Sequence, residues 1–267
     1  LIRVTVTFLQ RTFTSLVHAH AGRTQAAAGG LVKAPASPPL FPAAEPSVIF
    51  TESVMELDDK KLIKAAADYC EFWYKHDRKF SEFISGSHHP MSARVDVLKQ
   101  CLCAYGIQRN VQPNKAELKN YDDGYCGDNY NPEKHKVIIE VLDDFKITGS
   151  WVDDVYQLEG LLHQGLANEV RVLSLASKVL WQKVRGQYIV FDTDARLALK
   201  TANKDISAFY NEWTRVYESN LSFIVDALEK VLERSPFMFY RYDDYRQDWF
   251  YRRILDTYLI NITREVK

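Results

Sequence analysis

From Met55 onward, apolar residues recur at threes and fours, which is the period of a helix with one buried face. Leu62, Ala65, Ala66, Tyr69, Phe72, Trp73, His76 and Phe80 predict a long first helix over residues 55–84, ended by Ser85, Gly86 and Ser87. A second helix follows Pro90, over residues 92–105, and Gly106 stops it. Residues 106–132 carry Pro113, Gly124, Gly127 and Pro132 and read as loop. Helices follow over residues 132–146, 152–162 and 165–183. Arg185, Gly186 and Gln187 form a turn, residues 188–191 are extended, and Asp192 or Thr193 caps a short helix reaching Lys200. The clearest amphipathic helix spans residues 204–234, with Ile206, Phe209, Trp213, Val216, Ile224, Leu228 and Val231 in its stripe; Pro236 breaks it. A last helix is expected over residues 243–262. With no internal repeat and almost no strand signal, the fold class is all-α.

Residues 1–54 follow a different rule. No acid precedes Glu45, and Gly, Ala, Ser and Pro dominate from Ala19 to Pro46. The segment reads as a disordered or spurious N-terminal extension, with a targeting peptide or an ordered arm as alternatives. Residues 55–267 then form the folded domain. No apolar run approaches the roughly 18 residues of a membrane helix, so no membrane partner is expected. The four cysteines, at 70, 101, 103 and 126, lack zinc spacing and read as reduced thiols of a cytoplasmic protein. Net charge is −1, but its distribution is uneven. Residues 117–159 hold eleven acids against four lysines. Residues 171–204 hold Arg171, Lys178, Lys183, Arg185, Arg196, Lys200 and Lys204 against Asp192 and Asp194 alone. Such a basic island suits either a polyanion or an ordinary solvated helix surface.

The candidate chemistry lies in that island. Lys178 sits on a helix fourteen residues before Asp192, which opens the next one. An amine becomes a nucleophile only when neutral, which requires its pKa to fall from about 10.4. A neutral amine attacks a sugar C1′, and a neighbouring carboxylate faces the positive charge that grows there. On a helical wheel Leu173, Ala176, Val179 and Leu180 form the apolar side. Lys178 lies nearly opposite, with Arg171, Ser174 and Gln182, where a solvated lysine or a cleft-facing one would stand.

The run Asp192-Thr-Asp-Ala-Arg-Leu-Ala-Leu, after Ile189-Val-Phe, resembles a segment of the helix-hairpin-helix DNA glycosylases, the superfamily of endonuclease III and 8-oxoguanine glycosylase. The phrasing around Ser177-Lys178-Val179 is similar to bacterial proteins with the 8-oxoguanine-glycosylase fold. The resemblance covers about 30 residues. It implies two helical layers around a cleft, Lys178 as catalytic lysine and Asp192 as catalytic aspartate. It also implies duplex DNA carrying a modified base as partner, with no cofactor or metal and a monomeric state. The glycines of that family's hairpin are missing from residues 172–177, and its four-cysteine iron–sulfur motif is absent.

Around this pair, Ser177, Arg185, Asp194, Arg196 and Lys200 are the expected DNA or substrate contacts. Trp151, Trp181, Trp213 and Trp249 read mostly as core by spacing, and Trp151, after Gly149 and Ser150, is the best candidate among them for stacking on a flipped base. The aromatic and arginine-rich residues 237–253 suit amphipathic packing with exposed arginines. The competing readings are a nucleic-acid-binding module without catalysis and a helical interaction or defence protein.

Overall fold

A computed structural model describes residues 55–108, 111, 132–166, 171–186, 188–202, 205–235 and 243–266. The N-terminal extension, most of the expected loop at 106–132, and Lys204 lie outside them. Every regular element among the described residues is helical, and none is a strand. No described helix is long and apolar enough to cross a membrane.

The first helix is two α-helices joined by a π turn. Asp58 accepts the Lys61 amide and starts α1 (Asp59–Phe72). The π turn spans Trp73–Asp77, and α2 (Arg78–Ser85) continues from it. A π turn inserts one extra residue and rotates everything after it. The apolar stripe therefore carries Trp73, Asp77 and Phe80 inward, and His76, expected in the stripe, lies half-buried. This one-residue change puts a carboxylate into the core.

Pro90 precedes α3 (Met91–Ala104). Gly106 ends it in the left-handed region at φ +64°, which places the Ile107 amide on the Leu102 carbonyl. Pro132 opens α4 (Pro132–Asp144), where its missing N–H is no loss. Next come α5 (Trp151–Gly165), α6 (Leu173–Val184) and α7 (Thr193–Ala198). Last are α8 (Ile206–Arg234), a 3₁₀ turn (Asp243–Arg246) and α9 (Asp248–Val266). The helix expected from residue 165 begins at Leu173, because Glu159 takes the Val172 amide and the Arg171 guanidinium just ahead of it.

The helices pack in two groups. The α1 half of the first helix packs on α8 and α9, and α7 rests on α9. The α2 half packs on α3 and α6, with α4 and α5 beyond. The first helix belongs to both groups, and its π turn lies at the junction. α8 buries a single stripe, as its pattern predicts. α6 differs, for nine of the ten positions from Leu173 to Gln182, all but Ser174, are buried. A helix surrounded by protein has no solvent face, so its polar positions must find partners inside.

Residues 188–191 form no regular element and are almost wholly buried. Buried backbone without a strand partner has to be satisfied by side chains. Trp151 Nε1 donates to the Ile189 carbonyl at 2.9 Å, Ser177 Oγ accepts the Phe191 amide at 3.0 Å, and Asp256 accepts the Val190 amide. Three helices thus hold this segment in place of a sheet.

The cysteines depart from the expectation of four reduced thiols. Cys70 and Cys101 are free and buried, whereas Cys103 is disulfide-bonded. Cys126 lies outside the described residues. The expectation rested on zinc spacing alone, which carries no information about disulfide pairing.

Two substitutions test this assignment of core and surface. Leu180→Ala, at the fully buried centre of α6, lowers unfolding stability by about 2–5 kcal/mol. Phe223→Ser, on a side chain 59% exposed, changes it by less than about 0.5 kcal/mol. Urea unfolding of both variants measures the contrast.

Candidate functional site

Two adjacent residue pairs align α6 with the start of α7. Ser177 is bonded to Phe191, with its Oγ taking the amide and approaching the carbonyl at 3.4 Å. One residue further along each strand of chain, Lys178 Nζ meets Asp192 Oδ2 at 2.9 Å. The serine fixes the register, and the lysine and aspartate follow from it. Asp192 is also the N-cap of α7, accepting the Asp194 amide on Oδ1 at 2.9 Å. One carboxylate caps a helix and pairs with an amine, each oxygen having its own partner.

The pair is withdrawn from water. The Lys178 side chain is 4% exposed and that of Asp192 17%. Burial alone would push the Asp192 carboxyl up. The charge and hydrogen bond of Lys178, the Asp194 amide and Arg264 outweigh burial and hold it below the usual carboxylate range. Both groups line a pocket of about 210 Å³, with Phe72, Tyr105, Arg253 and Arg264 on its walls. At about 30 Å³ per water molecule, that is the space of roughly seven waters, which suits one ring-sized group.

A second polar cluster lies behind Lys178, and the sequence reading did not find it. Arg253, on α9, is buried and held by aromatic rings. Its guanidinium lies 5.0 Å from the Trp181 centroid and 5.2 Å from that of Tyr69. It donates to Asp256 Oδ2 at 2.8 Å and to the Tyr105 hydroxyl at 3.2 Å. Trp213 Nε1 donates to the other Asp256 oxygen at 2.8 Å. Asp77, delivered by the π turn, receives the Tyr105 hydroxyl at 2.8 Å and Gln182 Nε2 at 2.9 Å. Burial pushes both Asp77 and Asp256 upward despite the nearby Arg253. The arginines of residues 237–253 were expected to be exposed; Arg253 is inside because these two carboxylates neutralise it. Arg253 and Asp256, three apart on one helix face, were the local signal. Asp77 and Tyr105 gave none, being 176 and 148 residues from Arg253 in the chain.

The remaining predicted residues do not gather at the pocket. Trp151 is buried, stacked on Tyr210 at 5.2 Å and bonded to Ile189. Arg185, at φ +56°, lies over the rings of Trp249 and Trp73. Arg196 donates to the Thr201 carbonyl at 2.9 Å, and Lys200 is exposed at φ +54°. Asp194 stands nearer, pairing at 3.1 Å with Arg264 of the pocket wall. Among the described residues of the basic island, most cations are engaged within the chain, while Lys200 is exposed. Arg171 pairs with Glu159, and Lys183 donates to the carbonyls of Leu142 and Phe145. Lys178 also does not occupy the solvated face that its wheel position allowed, since Gln182 and Ser177 beside it are fully buried.

No family model matches the chain, and no curated protein or solved structure matches it.

The depressed Asp192 carboxyl has a measurable consequence. A carboxyl whose pKa is lower folded than unfolded stabilises the fold above its unfolded value, about 3.9, and that stabilisation disappears as pH falls through the folded value. Asp192→Asn keeps a capping oxygen but leaves Lys178 without a counter-charge. At pH 7 the variant is less stable by about 3 kcal/mol, the lower end for a buried pair that loses one partner. The gap to wild type starts to narrow near pH 4 and closes as pH falls through the lower, folded value. Thermal unfolding from pH 3 to pH 7 checks both the sign and the window.

Proposed function

We propose that this chain is a DNA glycosylase-like protein acting on an oxidised or otherwise modified base, with Lys178 as nucleophile and Asp192 as its electrostatic partner. The observation that carries the reading is the 2.9 Å approach of amine to carboxylate on the wall of a ring-sized pocket. As the C1′–N bond breaks, the base leaves with the bonding electrons and takes a proton from the Lys178 ammonium. The neutral amine then bonds to C1′, while ionised Asp192 faces the positive charge on the sugar. The attached amine then gives up a proton, O4′ takes one as the C1′–O4′ bond breaks, and the ring-opened iminium is the Schiff base. The same reading makes the protein a cytoplasmic monomer.

One observation favours a second reading. Arg171, Lys178, Lys183, Arg185 and Arg196 are engaged within the chain, and duplex binding relies on cations turned toward phosphates. A single modified base or nucleoside, bound in the pocket without cleavage, needs no such face.

Borohydride trapping on an oligonucleotide carrying 8-oxoguanine or an abasic site tests the first reading. Wild type forms a covalent adduct, Lys178→Ala forms none, and Asp192→Asn forms it about 100-fold more slowly. No adduct from wild type, together with nucleoside binding that survives Lys178→Ala, selects the second.

A further inference from the structure

Tyr105, the residue that ends α3, holds more polar partners than a core tyrosine needs. Its hydroxyl donates to Asp77, and it accepts Gln182 Nε2 at 3.3 Å and Arg253 Nη2 at 3.2 Å. Asp77 reaches it only because the π turn rotates that carboxylate inward, and such insertions recur where a helix serves a site. Gln182 is itself fixed, its Oε1 taking the Ser81 hydroxyl at 2.9 Å. Four elements therefore fix the orientation of one phenol ring.

That ring forms part of the pocket wall, and Lys178 Nζ lies 5.7 Å from its centroid. This is within the range at which a ring face attracts a cation, and the attraction is strongest where water is excluded. Arg253 stands at the same 5.7 Å from the centroid. Left unbalanced it would repel Lys178, but Asp256 and Asp77 neutralise it. The ammonium thus has two supports, the Asp192 carboxylate and the Tyr105 ring, and the buried cluster maintains the second.

We propose that Tyr105 is a positioning residue. Its ring, pinned by Asp77, Gln182 and Arg253, holds the Lys178 ammonium against Asp192 and sets how readily that amine is released to react. The inference rests on Lys178 being the working amine, but its test uses no nucleic acid.

Reductive methylation of the full chain with formaldehyde and cyanoborohydride, with Lys178 followed by peptide mass spectrometry, reads that release. Wild type methylates Lys178 slowest. Tyr105→Phe, which keeps the ring but frees it from Asp77, is intermediate. Tyr105→Leu, which removes the ring, is about threefold to tenfold faster than wild type. A folded Tyr105→Leu protein that labels Lys178 at the wild-type rate overturns the proposal. Should that variant fail to fold, the unmutated protein still decides. With ¹³C-lysine, and with Lys178→Arg assigning the signal, the Lys178 Hε resonances lie upfield of the other lysines through the ring current. Hε resonances at the random-coil position overturn the proposal equally. A protein that passes either test yet gives no borohydride adduct keeps the positioning and loses the glycosylase reading.

Discussion

A charged amine buried in the middle of this protein has to be neutralised, and much of the surrounding structure answers to that. Lys178 stands on a helix with almost no access to water, so its counter-charge had to be built in. The counter-charge is Asp192, and it is available because residues 188–191 run buried through the core and deliver it there. That segment in turn needs Ser177, Trp151 and Asp256 to satisfy its backbone. Asp256 also neutralises Arg253, and Arg253 contacts Tyr105 behind the amine. The ion pair, the buried segment and the deep charge cluster are one connected polar system within an apolar core.

Such a system is an unusual way to gain stability. A buried ion pair often does no better than apolar residues of the same shape, while removal of one partner is strongly destabilising. Five ionisable groups, Asp77, Lys178, Asp192, Arg253 and Asp256, converge here beside a pocket. Clusters of this kind are found where function requires charge in a dry place. Of these groups Lys178, Asp192 and Arg253 line the pocket, and Asp77 and Asp256 lie behind them.

The all-α class and most helix positions were legible because their signal is local: apolar residues at threes and fours, an aspartate or proline at a helix start, a glycine past its end. Lys178 and Asp192 were legible as a pair only through spacing and resemblance. The wheel placed Lys178 opposite the apolar side, and that inference fails for a helix enclosed on all faces. Asp77 was masked by the π turn, which breaks the period that would have put His76 inside. Tyr105, Gln182 and Arg253 meet across separations of 77 and 148 residues, and no local pattern encodes such a meeting. The basic island stayed ambiguous for a related reason: charge counted along a chain does not reveal whether a side chain reaches solvent or turns back to a carbonyl.

The central claim is that Lys178 and Asp192 act as one unit. A double-mutant cycle in urea at pH 7, with Lys178→Met, Asp192→Asn and the double variant, tests it most directly. The double variant is expected to be more stable than the two single effects summed, by at least about 1 kcal/mol. Effects that add within about 0.5 kcal/mol would show two independent residues and contradict it.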